Sequence, residues 1–204
     1  MTQSEPKVFV VDDDPAVLNG LRLLMKSVGM SVETYLNAQD FLNSYDSAQP
    51  GCLVLDVRMP GMSGLELQET LEKRDVDLPV IIVTGFGDVP VAVQALKKGA
   101  VDFIEKPFSD QVLLDQIQNA IAEDALTRQK RAKREAAASR LVLLTPRERE
   151  VMNAVIAGKL NKVIARELGI SQKTVEFHRA HVMEKMGVNS VAELVRFVID
   201  AGDA

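Results

Sequence analysis

Five short stretches that read as strands, at residues 8–11, 31–35, 52–56, 80–84 and 101–105, alternate with stretches of helical periodicity over the first 122 residues, and those at 8–11, 52–55 and 80–83 are wholly apolar. Runs this short and this apolar suit strands buried on both faces, and strands separated by helices pair in parallel. The helical stretches are 15–28, 38–45, 64–73, 89–98 and 110–122. The first opens on Asp14-Pro15, a capping acid with a proline behind it. It then carries Leu18, Leu21, Leu24, Met25 and Val28 at helical spacing and stops at Gly29. Five strands alternating with five helices predict an α/β fold built on a doubly wound five-stranded parallel sheet.

In such a sheet, chemistry gathers beyond the carboxyl ends of the strands. The run Cys52-Leu53-Val54-Leu55 ends in Asp56, followed by Val57-Arg58-Met59-Pro60-Gly61. The first run ends in Asp12, Asp13 and Asp14, the fourth in Thr84, and the fifth is followed by Lys106. Like carboxylates brought together raise one another's pKa unless a cation joins them. A hard divalent ion with oxygen ligands, most simply Mg²⁺ keeping several waters, answers that need. The set suits phosphoryl chemistry on a carboxylate. Asp56 is the expected nucleophile, Lys106 and the metal offset charge on the phosphoryl oxygens, and the Thr84 hydroxyl donates to one of them. A lone Asp, Thr or Lys at a strand end is ordinarily just solvated; their joint arrival at four of five strand ends points to a site.

The net charge of −5 hides an asymmetry. Residues 1–122 hold 18 acids and 9 bases, whereas residues 123–204 hold 11 acids and 15 bases. An acidic half joined to a basic half suggests two tasks, the basic one at a polyanion. Cys52 is the one cysteine, set in an apolar strand, so an inert buried thiol is expected and an internal disulfide is excluded. No apolar run approaches the roughly 18 residues that a membrane span requires, and residues 1–6 lack the basic and apolar regions of a signal peptide. A cytoplasmic location without membrane contact is expected.

Residues 123–142 are rich in helix formers and lack Gly and Pro up to Arg140, so the fifth helix is expected to run on into a helical linker. The apolar stripe fades after Leu126, and the basic residues from Arg128 to Arg134 read as a solvated face. In the remaining residues, 143–204, Thr145-Pro146-Arg147-Glu148 forms a capping box ahead of Val151, Val155 and Ile156. A second helix starts at Asn161 and ends at Gly169, and Ser171 caps a third after a turn of two residues. This spacing describes a helix-turn-helix with residues 171–186 as the recognition helix, within an all-α four-helix domain. Val175, His178, Val182 and Met186 share an inward face. Lys173, Glu176, Phe177 and Ala180 share the opposite one. There Glu176 can accept from cytosine N4 and Phe177 can rest on a thymine methyl, while Lys162, Arg179 and Lys185 are expected on phosphates. Ser190 caps a fourth helix whose Val191, Leu194, Val195 and Val198 are expected to meet a second copy.

The set Asp12-Asp13, Asp56 within Leu-Asp-Val-Arg-Met-Pro-Gly-Met-Ser-Gly, Thr84-Gly85 and Lys106-Pro107-Phe108 resembles the receiver domains of two-component response regulators, over residues 7–122. Residues 144–151, 161–165 and 174–179 resemble the LuxR-type DNA-binding domain, over residues 143–201. Together they resemble a FixJ/NarL-type response regulator, nearest the FixJ branch. The resemblance implies a flavodoxin-like sheet of order 2-1-3-4-5, with a receiver at 1–122 and a DNA-binding domain at 143–204. It implies Mg²⁺ held by Asp13, Asp56 and the backbone carbonyl of Arg58, with Asp12 acting through water. Asp56 would take a phosphoryl group from a sensor histidine kinase, the domain catalysing only its own phosphorylation and dephosphorylation, with a cis bond between Lys106 and Pro107. A switch pairs Thr84 with Phe103 and remodels the face at 91–98 and 101–105. The outcome implied is a phosphorylated homodimer bound to double-stranded DNA and acting on RNA polymerase, as an activator. Thr174 falls among the DNA-binding positions of the motif. Acidic Glu176 and small Ala180 depart from positions often basic in NarL-like relatives, so the operator does not carry over.

Two other classes compete with this reading. A constitutive DNA-binding dimer has no use for the complete set of acids, Thr84 and Lys106. A phosphatase acting on other molecules calls for a second Asp two residues after Asp56, where Arg58 stands.

Overall fold

The computed structural model describes residues 4–85 and 89–202, with residues 89–92 described by their backbone alone. In the first part of the chain, β1 (Lys7–Val11), α1 (Pro15–Ser27), β2 (Ser31–Tyr35), α2 (Ala38–Ser44), β3 (Gly51–Asp56) and α3 (Gly64–Lys73) follow one another. They lead into β4 (Val80–Thr84), α4 (Val89–Lys97), β5 (Asp102–Glu105) and α5 (Asp110–Leu141). The strands form one parallel sheet of order β2-β1-β3-β4-β5.

Because successive side chains of a strand point to opposite faces, each strand feeds two cores. Phe9, Val11, Leu53, Leu55 and Ile82 pack with α2, α3 and α4 through Phe41, Leu67, Leu71 and Ala95. Val8, Val10, Cys52, Val54, Ile81 and Val83 pack with α1 and α5 through Leu18, Leu21, Met25, Leu113 and Ile117. Burial pushes the Cys52 thiol up to about 12, so it stays protonated and inert. At the amino end of α1, Asp14 accepts from the backbone N–H of Ala16 at 2.8 Å, with Pro15 behind it. Val28, expected on the buried stripe, lies beyond the last helical residue and is exposed.

Two compact units divide the chain, Met1–Arg128 and Gln129–Ala204, so the division falls inside α5. In the first unit, Asp124 of α5 is buried and accepts from Gly51 N–H at 2.9 Å and from Arg128 Nε. Arg128 in turn donates to the carbonyls of Ser47, Ala48 and Gln49, which draws a base expected in solvent onto the loop before β3.

The second unit holds the end of α5 with α6 (Pro146–Ile156), α7 (Asn161–Leu168), α8 (Gln172–Met186) and α9 (Val191–Ala201). Ala137 and Leu141 of α5 are part of its core, beside Val151, Ile164, Val175 and Val182. Arg140 of α5 donates to the carbonyl of Met186 at 2.9 Å, where a cation meets the unsatisfied carboxyl end of α8. Leu194 and Val198 of α9 are also core residues, so they are not available for the expected contact with a second copy; Val191 and Ile199 are large apolar residues exposed on that helix. Among the described residues, no helix is long and apolar enough to cross a membrane.

Candidate acidic site and nucleic-acid interface

Adjacent strands β1 and β3 end side by side, with Val11 opposite Leu55, and this register brings Asp12 and Asp56 together just past the sheet. Lys106, arriving after β5, donates Nζ to Asp12 Oδ2 at 2.7 Å and to Asp56 Oδ1 at 2.8 Å. The remaining oxygens are held by backbone. Asp12 Oδ1 accepts from Asp14 N–H at 2.9 Å, and Asp56 Oδ2 accepts from Arg58 N–H at 2.7 Å. Thr84 closes β4 and is buried, and its carbonyl accepts from Lys106 N–H at 2.7 Å. The Lys106-Pro107 bond is cis. On the far side, the amino end of α3 abuts Asp56: a Cβ on Gly64 would stand 2.3 Å from the Asp56 carbonyl oxygen. Asp13 and Arg58 are exposed at the rim.

Burial is the main influence on Asp56 and pushes its pKa up; Asp12 adds to the rise, while Lys106 and the Arg58 N–H pull against it. For Lys106, burial disfavours the ammonium, but its hydrogen bonds to Asp12 and Asp56 and their charges prevail, and its pKa rises. Two buried carboxylates against one ammonium leave an excess of negative charge, with exposed Asp13 nearby. Among the described residues, no group of three or more His, Cys, Asp or Glu side chains is arranged as a ready metal cage. An ion that keeps several waters needs only one or two carboxylates, and each carboxylate oxygen here retains a lone pair beyond its present partner. The donor set therefore fits Mg²⁺.

Phe103 lies opposite Ile82 in the β4–β5 register, which sets it on the same sheet face as Thr84. It is half-buried against the core on that face. On α4, Val93 and Leu96 are exposed, while the Val91 side chain of the expected 91–98 face lies outside the described residues.

In the second unit, Gly169 at φ 65° ends α7 and allows the tight turn to α8, whose Ser171 cap accepts from Thr174 N–H at 3.1 Å. Val175, Val182 and Met186 are buried; Lys173, Glu176, Phe177 and Ala180 are exposed on the other side of α8. His178, expected inward, is half-buried. The Thr174 hydroxyl pairs with Ser171 Oγ at 2.8 Å, and Lys162 is exposed on α7. Arg179 donates to Asn161 Oδ1 at 2.7 Å, tying α8 to the start of α7.

Lys185 requires a correction. Its Nζ donates to Glu148 Oε2 at 2.6 Å and to the Leu143 carbonyl at 3.2 Å, so its charge serves an internal pair instead of standing free for a phosphate. Glu148 is buried, and its second role was not legible in the sequence. The capping box is a local pattern, whereas Lys185 lies 37 residues away. The Lys185 hydrogen bond, helped by Thr145, holds the Glu148 carboxyl down at about 2. A lowered carboxyl stabilises the fold above its ordinary value of 4.5, and that stability is lost as pH falls toward 2. Glu148→Gln is expected to cost the second unit about 1–3 kcal/mol at neutral pH. Urea unfolding at pH 7 and pH 3 checks this, because the cost should shrink at the lower pH.

Residues 8–118 match the family described as response regulator receiver domain, and residues 142–198 match bacterial regulatory proteins, luxR family. The chain is 46% identical to the transcriptional regulatory protein FixJ of Bradyrhizobium diazoefficiens, covering 96% of this chain and 95% of that one. It is 42% identical to the response regulator protein TodT of Pseudomonas putida, covering 96% and 86%. Among solved structures, the response regulator StyR is 46% identical with a TM-score of 0.88, covering 96% of this chain and 99% of that one. Full-length FixJ from B. japonicum is 44% identical with a TM-score of 0.59, covering 98% and 99%. A parallel sheet of order 2-1-3-4-5 with an acidic edge and a helix-turn-helix unit meet in one chain, which belongs to the two-component response regulators that join a receiver to a LuxR-type DNA-binding domain, as a FixJ-like transcriptional regulator.

Proposed function

We propose that Asp56 is the phosphoacceptor of a phosphorylation-activated transcriptional activator, with residues 1–122 as the receiver, 123–142 as a helical linker and 143–204 as the DNA-binding domain. The observation that carries this is the Lys106 ammonium held between Asp12 and Asp56 beside buried Thr84. An Asp56 oxygen attacks the phosphorus of a phosphohistidine on a sensor histidine kinase; the P–N bond breaks and the imidazole leaves with its electron pair. Lys106 turns to the phosphoryl oxygens, and the Thr84 hydroxyl donates to another of them. Water later attacks the same phosphorus, the acyl P–O bond breaks, and inorganic phosphate leaves with the Asp56 carboxylate restored. Asp13, Asp56 and the Arg58 carbonyl would hold Mg²⁺, with Asp12 acting through water, and the ion would supply divalent charge against the phosphoryl oxygens.

Movement of Thr84 toward the phosphoryl group makes room for Phe103, and the α4–β5 face changes into a dimer contact. The dimer presents two α8 helices to half-sites about 34–36 Å apart on duplex DNA. Lys173, Thr174, Glu176 and Phe177 face the groove, and Lys162 and Arg179 lie toward the phosphates. Bound there, the regulator recruits RNA polymerase. The test is operator affinity and molecular mass with and without a small acyl phosphate and Mg²⁺. Tighter binding and a doubled mass are expected; identical values in both conditions would remove phospho-control from the reading.

A further inference from the structure

We propose that His181 is a positioning residue of the DNA-reading face, holding the Phe177 ring in the pose that meets a thymine methyl group. The inference rests on the reading of α8 as the recognition helix with Phe177 at the base edges.

Phe177 is 58% exposed, a large ring standing out from α8. A residue four positions on, in a helix, leans back toward the amino end and over its neighbour. His181 occupies that position, and its ring centroid lies 4.1 Å from that of Phe177 at a tilt of 57°. The chain's other histidine, His178, touches the same ring more distantly, at 5.9 Å and 66°. His181 also meets α6, its Nδ1 standing 3.6 Å from Oε1 of Glu148. That separation is too long for a hydrogen bond and is a van der Waals contact. Glu148 cannot drift, because its other oxygen takes the Thr145 N–H at 2.8 Å and the Lys185 ammonium at 2.6 Å.

A line of contacts thus runs from the buried carboxylate of α6 through His181 to the most exposed aromatic ring of the described residues in this unit. A ring already held in its bound pose loses less conformational freedom on binding, which strengthens the complex. A methyl contact gains most from this, being short-ranged and sensitive to where the ring edge lies.

Full-length protein treated with acyl phosphate and Mg²⁺ would first select its preferred duplex from a randomised pool. Affinity is then measured for that duplex and for the same duplex with deoxyuridine in place of every thymine, which removes the methyl groups alone. Wild type is expected to prefer thymine DNA. Phe177→Ala is expected to lose the preference, and His181→Ala to bind thymine DNA about 3- to 10-fold more weakly with most of the preference gone. His181→Tyr, which restores a ring, should recover it. Thermal melts and far-ultraviolet dichroism accompany each variant, and His181→Asn, polar but ringless, serves as a second substitution should alanine unfold the unit. A merely structural role for His181 would weaken binding to both duplexes equally and leave the thymine preference intact, which overturns the inference while Phe177 keeps its contact. If Phe177→Ala retains wild-type affinity and preference, the contact itself is wrong and the inference goes with it.

Discussion

Asp56→Asn is expected to abolish phosphorylation by acyl phosphate and every response of DNA affinity to that donor, while the protein remains folded. The amide keeps the shape of the carboxyl but is no nucleophile toward phosphorus. The same substitution should raise the stability of the first unit at neutral pH. Burial, with Asp12 beside it, raises the Asp56 pKa above its ordinary 3.8, so ionising this group costs the folded state free energy. A raised carboxyl destabilises the fold as pH climbs above its ordinary value, and the cost grows until the folded value is passed. The melting temperature of Asp56→Asn should therefore exceed that of the natural chain at pH 7, and the gap should close as pH falls toward 4. Mg²⁺ should raise the melting temperature of the natural chain and leave the variant's nearly unmoved. A variant that still takes up phosphate on one aspartyl group would place the acceptor elsewhere.

Gly51→Ala is expected to be the most damaging single methyl group in the first unit. At the start of β3 the backbone lies so close to β1 that a Cβ on Gly51 would stand 1.8 Å from the Lys7 carbonyl oxygen and 2.8 Å from its carbon. No rotamer change relieves a clash between main chains, so the two strands must part or the unit must unfold. Parting them also pulls the Gly51 N–H from buried Asp124, which then keeps only Arg128. The cost is expected to reach about 3 kcal/mol or more, a fall in melting temperature on the order of 10 °C. Gly20→Ala is the control. Its Cβ meets nothing within 4 Å, and in mid-helix it should stabilise by about 0.5–1 kcal/mol. Thermal melts of the two variants side by side check the contrast, and similar melts would mean that the sheet relaxes around Gly51.

Local patterns accounted for much of the architecture. The caps at Asp14, Ser171 and Ser190, the capping box at Thr145 and the apolar runs of β1, β3 and β4 depend on neighbours a few residues apart, and such interactions are visible in a linear text. Strand order and the meeting of Asp12, Asp56 and Lys106 were legible because the motif is dense and the parallel sheet forces its strand ends to one edge. Two of the misplacements, Lys185 on phosphate and Leu194 with Val198 on a second copy, have one cause. Helical spacing separates the faces of a helix but does not say which neighbour covers each face. Lys185 was drawn inward by a carboxylate on another helix, and α9 turned its apolar stripe into the core of its own unit.

The same limit explains the treatment of α5. Its helix formers between residues 123 and 141 follow from propensity, which is a property of each residue in turn. That Asp124 and Arg128 grip the loop before β3, and that Ala137 and Leu141 complete the core around α6, follows from contacts between residues remote in the chain. Periodicity and spacing were enough to establish the sheet, the acidic edge and the helix-turn-helix, since each is written in short-range order. Which charges stand free, which ring is braced and where the long helix ceases to be a connection were settled by packing in three dimensions. There an ion pair or a close approach depends on distance alone, however many residues lie between its partners.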